Sequence, residues 1–160
     1  MLTQKFLQEY FIYNSDGSLT RIKKLGTSGR IGVKTFGYSR PSGYKVITFL
    51  NKSFHFHRIV FLLCNGFLPK MIDHINGDKA DNRIENLRPC TPAENMFNSK
   101  IASNNKSGVK GIYYCKIERT WKGSIKKGNK RIKVQRKNKE ELIGIMNGLR
   151  EELHGNFARN

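Results

Sequence analysis

Two adjacent residues of this chain, Asp73 and His74, place a carboxylate next to an imidazole. Isoleucines flank the pair and residues 76–78 are turn-forming, so the pattern predicts a strand that ends in a turn. A neutral imidazole, with an unperturbed pKa of about 6.5, can take a proton from water at neutral pH. Carboxylate oxygens suit hard cations such as Mg²⁺ or Mn²⁺. An isolated Asp-His pair is usually part of a surface turn, so the pair alone does not predict catalysis.

Two asparagines downstream supply further oxygen atoms. Asn86 precedes a second predicted strand, and Asn95 lies in a predicted helix. An N-cap, a first-turn proline and a capping-box acid mark the start of this helix: Thr91, Pro92 and Glu94. The predicted order is therefore strand, loop, strand, helix. Hydrolysis of a phosphodiester needs an attacking hydroxide and neutralisation of charge at the leaving oxygen, which a base and a divalent cation can provide together.

The segment resembles the HNH nucleases, in particular the phage and intron-encoded homing-endonuclease branch with its ββα-metal fold. The residues that carry the resemblance are 57–60, 72–78, 81–88 and 94–95. The resemblance covers roughly residues 8–98 and implies His74 as general base and Asn86 as the residue that holds the imidazole and its loop. It implies Asp73 and Asn95 as ligands of one divalent ion, Mg²⁺ or Mn²⁺. Asn95 stands where the family name has its second histidine, and its amide still offers an oxygen.

Other polar residues of this segment leave alternatives open. His57 is either a second functional imidazole or a residue that packs beneath the site. Arg83 and Arg88 either contact phosphate or brace the turn. His55 alternates with phenylalanines and is expected to face solvent or DNA. Three more residues are expected to shape the loop: Asp78, Asp81 and Asn82.

Charge and composition narrow the class of partner. Thirty Lys and Arg against 12 Asp and Glu give a net charge of +18, which attracts polyanions, with DNA or RNA as the first candidates. An anionic membrane surface is second, but the longest apolar run is far shorter than the roughly 18 residues of a spanning helix. The first ten residues lack a secretory pattern, so we expect a cytoplasmic protein, in the host cytoplasm if phage-encoded. The three cysteines form no CxxC pair, so we expect no disulfide framework and no structural zinc.

The elements that must position the site are short. Residues 1–53 have the pattern of strands and turns, with hairpins predicted over 10–22 and 44–56, the second turning at Asn51-Lys52. Residues 26–43 are predicted as loop or irregular edge strand. Residues 58–65 are apolar nearly all round and are followed by Gly66, which predicts a short buried helix.

A second module is predicted after a polar linker at residues 99–107. Three strands are expected at residues 109–116, 120–127 and 130–136, followed by a helix at 139–153. Strand alternation places Trp121 and Ile125 on one face, with Ile132 and Val134 available to join them. The opposite face is basic and includes Lys122, Lys126, Arg131, Lys133 and Gln135.

This module resembles the AP2-type DNA-binding domain over residues 107–159. The carrying residues are 107–113, 121–125 and 153–159, whereas residues 134–138 and the glycine-containing helix depart from the pattern. The resemblance implies a basic sheet that enters the major groove. The alternative is that the basic face of the sheet is charged only because it is exposed to solvent, and does not contact DNA. With two basic residues of the first domain, the predicted DNA contacts are Arg58, Arg83, Lys110, Lys122, Lys126, Arg131, Lys133 and Gln135.

The sequence therefore predicts an α+β protein. A nuclease domain spans residues 1–98, with a ββα-metal core at about 54–98 preceded by short hairpins. A small AP2-like domain of three strands and a helix spans residues 108–160. The expected function is metal-dependent cleavage of double-stranded DNA by a monomer, as a site-directed nicking or homing endonuclease. The alternatives are a non-catalytic DNA-binding regulator and a structural RNA-binding protein.

Overall fold

The computed structural model describes residues 2–24 and 30–158 of the chain. The chain divides into two compact units, residues 1–91 and 92–160. This division falls before the last predicted helix of the nuclease domain. The predicted boundaries at residues 98 and 108 stay predictions.

The first unit consists of short elements. Its described residues contain two helices, α1 Gln4–Tyr10 and α2 Phe56–Asn65, and eight strands: β1 Phe11–Tyr13, β2 Leu19–Arg21, β3 Lys34–Thr35, β4 Tyr38–Ser39, β5 Lys45–Phe49, β6 Lys52–His55, β7 Ile72–His74 and β8 Leu87–Pro89. All paired strands are antiparallel, in sheets β1-β2-β3, β4-β5-β6 and β7-β8. A short 3₁₀ turn, Ile84–Asn86, leads into β8.

Both predicted hairpins are confirmed, with two corrections. The prediction of strands and turns throughout residues 1–53 is wrong for α1, which begins after Thr3, whose side chain accepts the Phe6 N–H at 3.2 Å. The second hairpin turns at Leu50 and Asn51, with φ of 52° and 55°, so Lys52 is already in the strand. Two consecutive positive φ angles match the twist of a two-residue hairpin. Of the predicted irregular segment 26–43, residues 26–29 lie outside the described residues, and the remainder contains β3 and β4.

Helix α2 is the centre of the first unit. It follows β6 without a loop and starts two residues before the predicted position, which brings His57 into its first turn. It ends at Gly66, which has a φ of 79° and donates its N–H to the Leu62 carbonyl at 3.0 Å. The buried apolar core around it comprises Leu7, Phe11, Leu19, Ile47, Phe49, Phe56, Ile59, Val60, Phe61, Leu62, Leu63, Ile72 and Leu87.

The predicted order of strand, loop, strand and helix is confirmed as secondary structure. Strand β7 pairs with β8, so that Asp73 lies opposite Arg88 and His74 opposite Leu87. Residues 75–83 form the loop before the 3₁₀ turn. Helix α3, Pro92–Phe97, follows β8 and belongs to the second unit. The ββα-metal arrangement as a whole stays a prediction.

The second unit is a three-stranded meander with a helix against it. Its strands are β9 Ile112–Cys115, β10 Thr120–Lys127 and β11 Lys130–Arg136, and its long helix is α4 Lys139–His154. The three strands and the helix are confirmed, although β9 is shorter than predicted. Gly123 allows the close approach of α4, because a Cβ there would lie 2.7 Å from the Met146 sulfur. The core is formed by Ile112, Ile125, Leu142 and Met146. Among the described residues, no helix is long and apolar enough to cross a membrane.

Candidate active site and nucleic-acid interface

Asp73 and His74 are both buried on β7, with 6% and 4% of their surface exposed, and they have different partners. The Nε2 atom of His74 lies 3.3 Å from Oδ1 of Asn82. The Asn82 amide is oriented by its own Nδ2, which donates to the Ala80 carbonyl at 3.0 Å. An amide oxygen only accepts hydrogen bonds, so His74 carries its proton on Nε2 and its lone pair on Nδ1. Burial is the main cause that lowers the pKa of His74, and the hydrogen bond to Asn82 acts in the opposite direction.

Asn86 fastens the loop that follows His74. Its Oδ1 accepts the N–H of Asn76 at 2.9 Å, and its Nδ2 donates to the Asp81 carbonyl at 2.8 Å. Its carbonyl oxygen also accepts the Ile75 N–H at 2.9 Å. The predicted role of Asn86 in holding the loop matches these contacts. The side chain that contacts Nε2 of the imidazole is that of Asn82, which was predicted only to shape the loop.

The first hairpin supports the same loop from the other side. The hydroxyl oxygen of Tyr13 accepts the Ile84 N–H at 2.9 Å. Gly17 has a φ of +83°, and a Cβ there would lie 2.8 Å from the backbone nitrogen of Arg83. Glycine is therefore required for both the turn and the close approach. Sequence reasoning did not predict that these residues support the site, because they lie some seventy positions away from it.

Asp73 forms a buried ion pair with Arg88. Both Nε and Nη2 of Arg88 donate to Oδ2 of Asp73, at 3.0 and 2.8 Å. For Arg88, the structure therefore supports the bracing alternative. An ionised carboxylate has two oxygens with several lone pairs, so Asp73 can accept hydrogen bonds from Arg88 and still offer a lone pair to a hard cation. This donor set fits Mg²⁺ or Mn²⁺.

The described residues contain no group of three or more His, Cys, Asp or Glu side chains placed to hold a metal ion. The predicted ligand set has one carboxylate and one amide, and water and phosphate oxygens would complete the shell of Mg²⁺. Asn95, the second predicted ligand, lies on α3 and is partly exposed.

Three aromatic rings, those of Tyr44, His55 and His57, form a cluster with the ring of the candidate base, His74. The His57 ring centroid lies 5.1 Å from that of His74 and 5.4 Å from that of His55. The Tyr44 ring lies 5.3 Å from both His55 and His57 and 6.0 Å from His74. The Lys79 ammonium sits 4.5 Å from the Tyr44 ring centroid. Tyr44 and Lys79 were missed by sequence reasoning, because nothing in their local pattern indicates that they approach the site.

His57 is buried, with 6% of its surface exposed, and its Nδ1 has no hydrogen-bond partner. Burial, followed by the nearby charge of His74, lowers the pKa of His57 to about 3. The imidazole is therefore neutral at physiological pH. The contact with His74 agrees with a position at the site and leaves both predicted roles open.

Two arginines of the first unit were predicted to contact DNA. Arg83 donates two bonds to Asp81, at 2.9 and 2.8 Å, and the hydrogen bond from Arg83 lowers the pKa of Asp81 to about 2. Arg83 thus braces the loop, although half of its side chain is exposed. Arg58 donates one weak bond, at 3.4 Å, to the Lys70 carbonyl.

The sheet of the second unit has one basic face, as predicted. The register of β10 with β11 pairs Lys122 with Gln135, Ser124 with Lys133, and Lys126 with Arg131. Tyr113 lies opposite Lys122 on the same face and is 56% exposed. The sequence analysis did not include Tyr113 among the contacts. Within the described part of the chain, three of the cations have no ion-pair partner: Lys126, Arg131 and Lys133.

Three other predicted contacts, Lys122, Gln135 and Lys110, already have partners within the chain. Glu118 binds the Lys122 ammonium through Oε1 and accepts a bond from Gln135 at 3.1 Å. The Lys110 ammonium donates to the carbonyls of Phe97 and Ser99, at 2.8 and 2.9 Å, where it caps the end of α3. These bonds occupy the Lys110 ammonium in the chain without DNA, and its role as a DNA contact stays a prediction.

Comparison with known proteins shows which family this segment is similar to. Residues 54–97, from β6 through α3, match the family model described as HNH endonuclease. This segment contains the four residues predicted for catalysis and metal binding: Asp73, His74, Asn86 and Asn95. Over 105 residues the chain is 35% identical to Protein 3.8 of Escherichia phage T7, covering 64% of this chain and 87% of that protein. Over 127 residues it is 38% identical to Uncharacterized HNH endonuclease L560 of Acanthamoeba polyphaga mimivirus, covering 76% of this chain and 64% of that protein. No solved structure matches. Residues 54–97 of the chain therefore form a segment that is similar to the HNH endonuclease family.

Proposed function

We propose that the protein is a metal-dependent endonuclease that hydrolyses phosphodiester bonds of double-stranded DNA. The observation that carries the proposal is the orientation of His74, a buried imidazole whose Nε2 is tied to Asn82. A neutral imidazole with its lone pair fixed at one nitrogen is suited to act as a general base. A protein that only binds DNA has no use for such an arrangement.

In the proposed reaction, Nδ1 of His74 takes a proton from water. The resulting hydroxide attacks the phosphorus, the bond to the 3′ oxygen breaks, and the leaving oxygen takes a proton from solvent. Asn82 keeps the other nitrogen protonated, so that Nδ1 stays an acceptor until it receives the proton. Asn86 keeps the loop that carries Asn82 in place.

Asp73 and Asn95 would hold a divalent cation, Mg²⁺ or Mn²⁺. When bound, the cation neutralises charge on the phosphate and the leaving oxygen. Arg88 holds the Asp73 carboxylate in a fixed orientation through Oδ2. This contact also balances the carboxylate charge in the absence of a cation, so chelation should stop cleavage without unfolding the protein.

The basic face of the second unit is the proposed DNA-binding surface. Its unpaired cations, Lys126, Arg131 and Lys133, can contact phosphates, and the exposed Tyr113 adds an aromatic surface. Lys122 and Gln135 would join them once released from Glu118. One base per chain implies one strand cut per bound monomer, so we propose nicking as the default activity, in a site-directed or homing enzyme.

The test is relaxation of supercoiled plasmid carrying DNA that surrounds the protein's own gene. We expect cleavage with Mg²⁺ or Mn²⁺, loss of cleavage with EDTA and an unchanged melting temperature in EDTA. His74→Ala should abolish cleavage and keep DNA binding. His154→Ala is the matched control, since it removes an imidazole that stacks on Phe97 in the second unit. Intact plasmid with either metal would refute the nuclease proposal.

A non-catalytic DNA-binding regulator is the second candidate, and the basic sheet favours it on its own. It predicts tight binding without nicking under all metal conditions. His74→Ala would then have no effect on any measured property of the DNA complex.

A further inference from the structure

His57 contains a buried polar atom that the fold leaves without a partner. Nδ1 of His57 is sealed from solvent and makes no hydrogen bond, and among the described residues only Oγ1 of Thr120 shares this condition. An unsatisfied buried polar atom is destabilising, and native structures seldom keep one without a reason. A phenylalanine would fill a similar volume without that cost. Packing alone therefore does not explain an imidazole at this position.

The surroundings of His57 point toward the reaction. Its ring contacts three other rings, those of Tyr44, His55 and His74, and none of them forms a hydrogen bond with it. The ring centroid of His74, the proposed base, is 5.1 Å away with the ring planes at 75°. A water oxygen about 2.8–3.0 Å from one nitrogen of each ring can bridge nitrogens as far as roughly 5.5–6 Å apart. The spacing of the two rings allows one shared water.

The burial of Nδ1 also favours one tautomer. Buried N–H groups without an acceptor are rarer than buried acceptors without a donor. We therefore expect the sealed Nδ1 to carry the lone pair and Nε2 to carry the proton. His57 stays uncharged at the pH of the reaction, since burial lowers its pKa to about 3. It can therefore donate a hydrogen bond without competing for the proton that His74 takes.

We infer that His57 is a water-binding residue of the nuclease, whose Nε2–H donates to the oxygen of the water that His74 deprotonates. This inference rests on the proposed nuclease function. His57 transfers no proton in the step. It holds the oxygen while the water proton passes to Nδ1 of His74, the new bond to phosphorus forms and the bond to the 3′ oxygen breaks.

Three substitutions separate this role from packing. His57→Phe keeps the volume and removes both nitrogens. His57→Gln places an amide near the position of Nε2, and His57→Asn places one near Nδ1. Each variant is compared with the wild type for melting temperature, for Kd on a DNA duplex without metal and for single-turnover nicking at saturating protein with Mg²⁺.

We expect His57→Phe to fold with an equal or higher melting temperature and an unchanged Kd, and to nick on the order of 100-fold more slowly, as for loss of one preorganised donor. His57→Gln should recover part of this rate and His57→Asn should not. Wild-type nicking by His57→Phe, or an Asn variant at least as active as the Gln variant, would overturn the inference.

The Gln and Asn variants decide the question if His57→Phe does not fold. The wild type and His74→Ala test the proposed function separately. Cleavage by the wild type that is lost in His74→Ala and kept in His57→Phe would refute only the role of His57. A wild type that never cleaves would refute both.

Discussion

Acid should destabilise the first unit through His57. The pKa of this imidazole is about 3 in the folded chain, because burial disfavours its charged form, against about 6.5 in the unfolded chain. Above pH 6.5 the His57 imidazole is neutral in both the folded and the unfolded state, so it contributes no pH dependence to the free energy of unfolding. Below pH 6.5 the unfolded state binds a proton that the folded state cannot, so the free energy of unfolding falls until about pH 3.

The size of the effect at pH 5 follows from the unfolded-state pKa. That pH lies about 1.5 units below 6.5, and each unit corresponds to about 1.4 kcal/mol, so the expected loss is about 2 kcal/mol relative to pH 8. Any folded-state pKa below about 4 gives nearly the same loss. A small unit has only about 5–15 kcal/mol of total stability, so the loss should be easy to measure.

The assay is urea unfolding of the wild type and of His57→Phe at pH 8 and pH 5. The single tryptophan, Trp121, lies in the second unit, so far-UV circular dichroism is needed to follow the first. His57→Phe should lose about 2 kcal/mol less than the wild type between the two pH values. His55→Phe replaces an exposed neighbouring imidazole and should behave like the wild type. An equal pH dependence in the wild type and His57→Phe would show that the fold does not hold His57 neutral.

Three further predictions concern the base and the basic face. Asn82→Ala should lower the nicking rate by about 10- to 100-fold without changing DNA affinity, because the tautomer of His74 is no longer fixed. Single-turnover nicking rates at neutral pH test this prediction, and an unchanged rate would contradict it. Arg131→Ala combined with Lys133→Ala should weaken binding and reduce the slope of log K against log salt by about 2, as for two lost phosphate contacts; an unchanged slope would exclude this face as a contact surface. Glu118→Gln should strengthen binding and make the slope steeper, since it frees a cation from its ion pair; equal or weaker binding would show that this pair helps DNA recognition.

Much of the fold could be predicted because its signals are local. The apolar run before Gly66 predicted α2, and turn residues between apolar segments predicted both early hairpins. The alternation in β10 and β11 separated the basic face from the apolar one. Helix α1 was missed because its signal is weak: Thr3 is an N-cap, but the seven-residue helix after it has one fully buried side chain, Leu7.

The sequence could supply candidate site residues, but it could not predict their contacts. Asp73, His74 and Asn86 lie in a dense motif that the family resemblance identified. Tyr13, by contrast, has no local sequence pattern that connects it with the site. The hydrogen bond that its hydroxyl accepts from Ile84 spans 71 positions. Tyr44 likewise reaches His74 only because the β5-β6 hairpin returns the chain to α2. Such contacts depend on tertiary structure, which periodicity does not encode.

The amide side chains explain why the loop can hold a base without adding charge beside it. An asparagine provides both a donor and an acceptor, so each end of the Asn82 and Asn86 amides can be satisfied separately. In Asn82 the two ends join His74 to the loop, and in Asn86 they close the loop on itself. The proposed base, His74, is therefore held in one orientation in the chain without DNA. His57, which lies beside this network without taking part in it, is the imidazole that the fold does not satisfy, and that difference is the physical ground for assigning its hydrogen bond to the reaction.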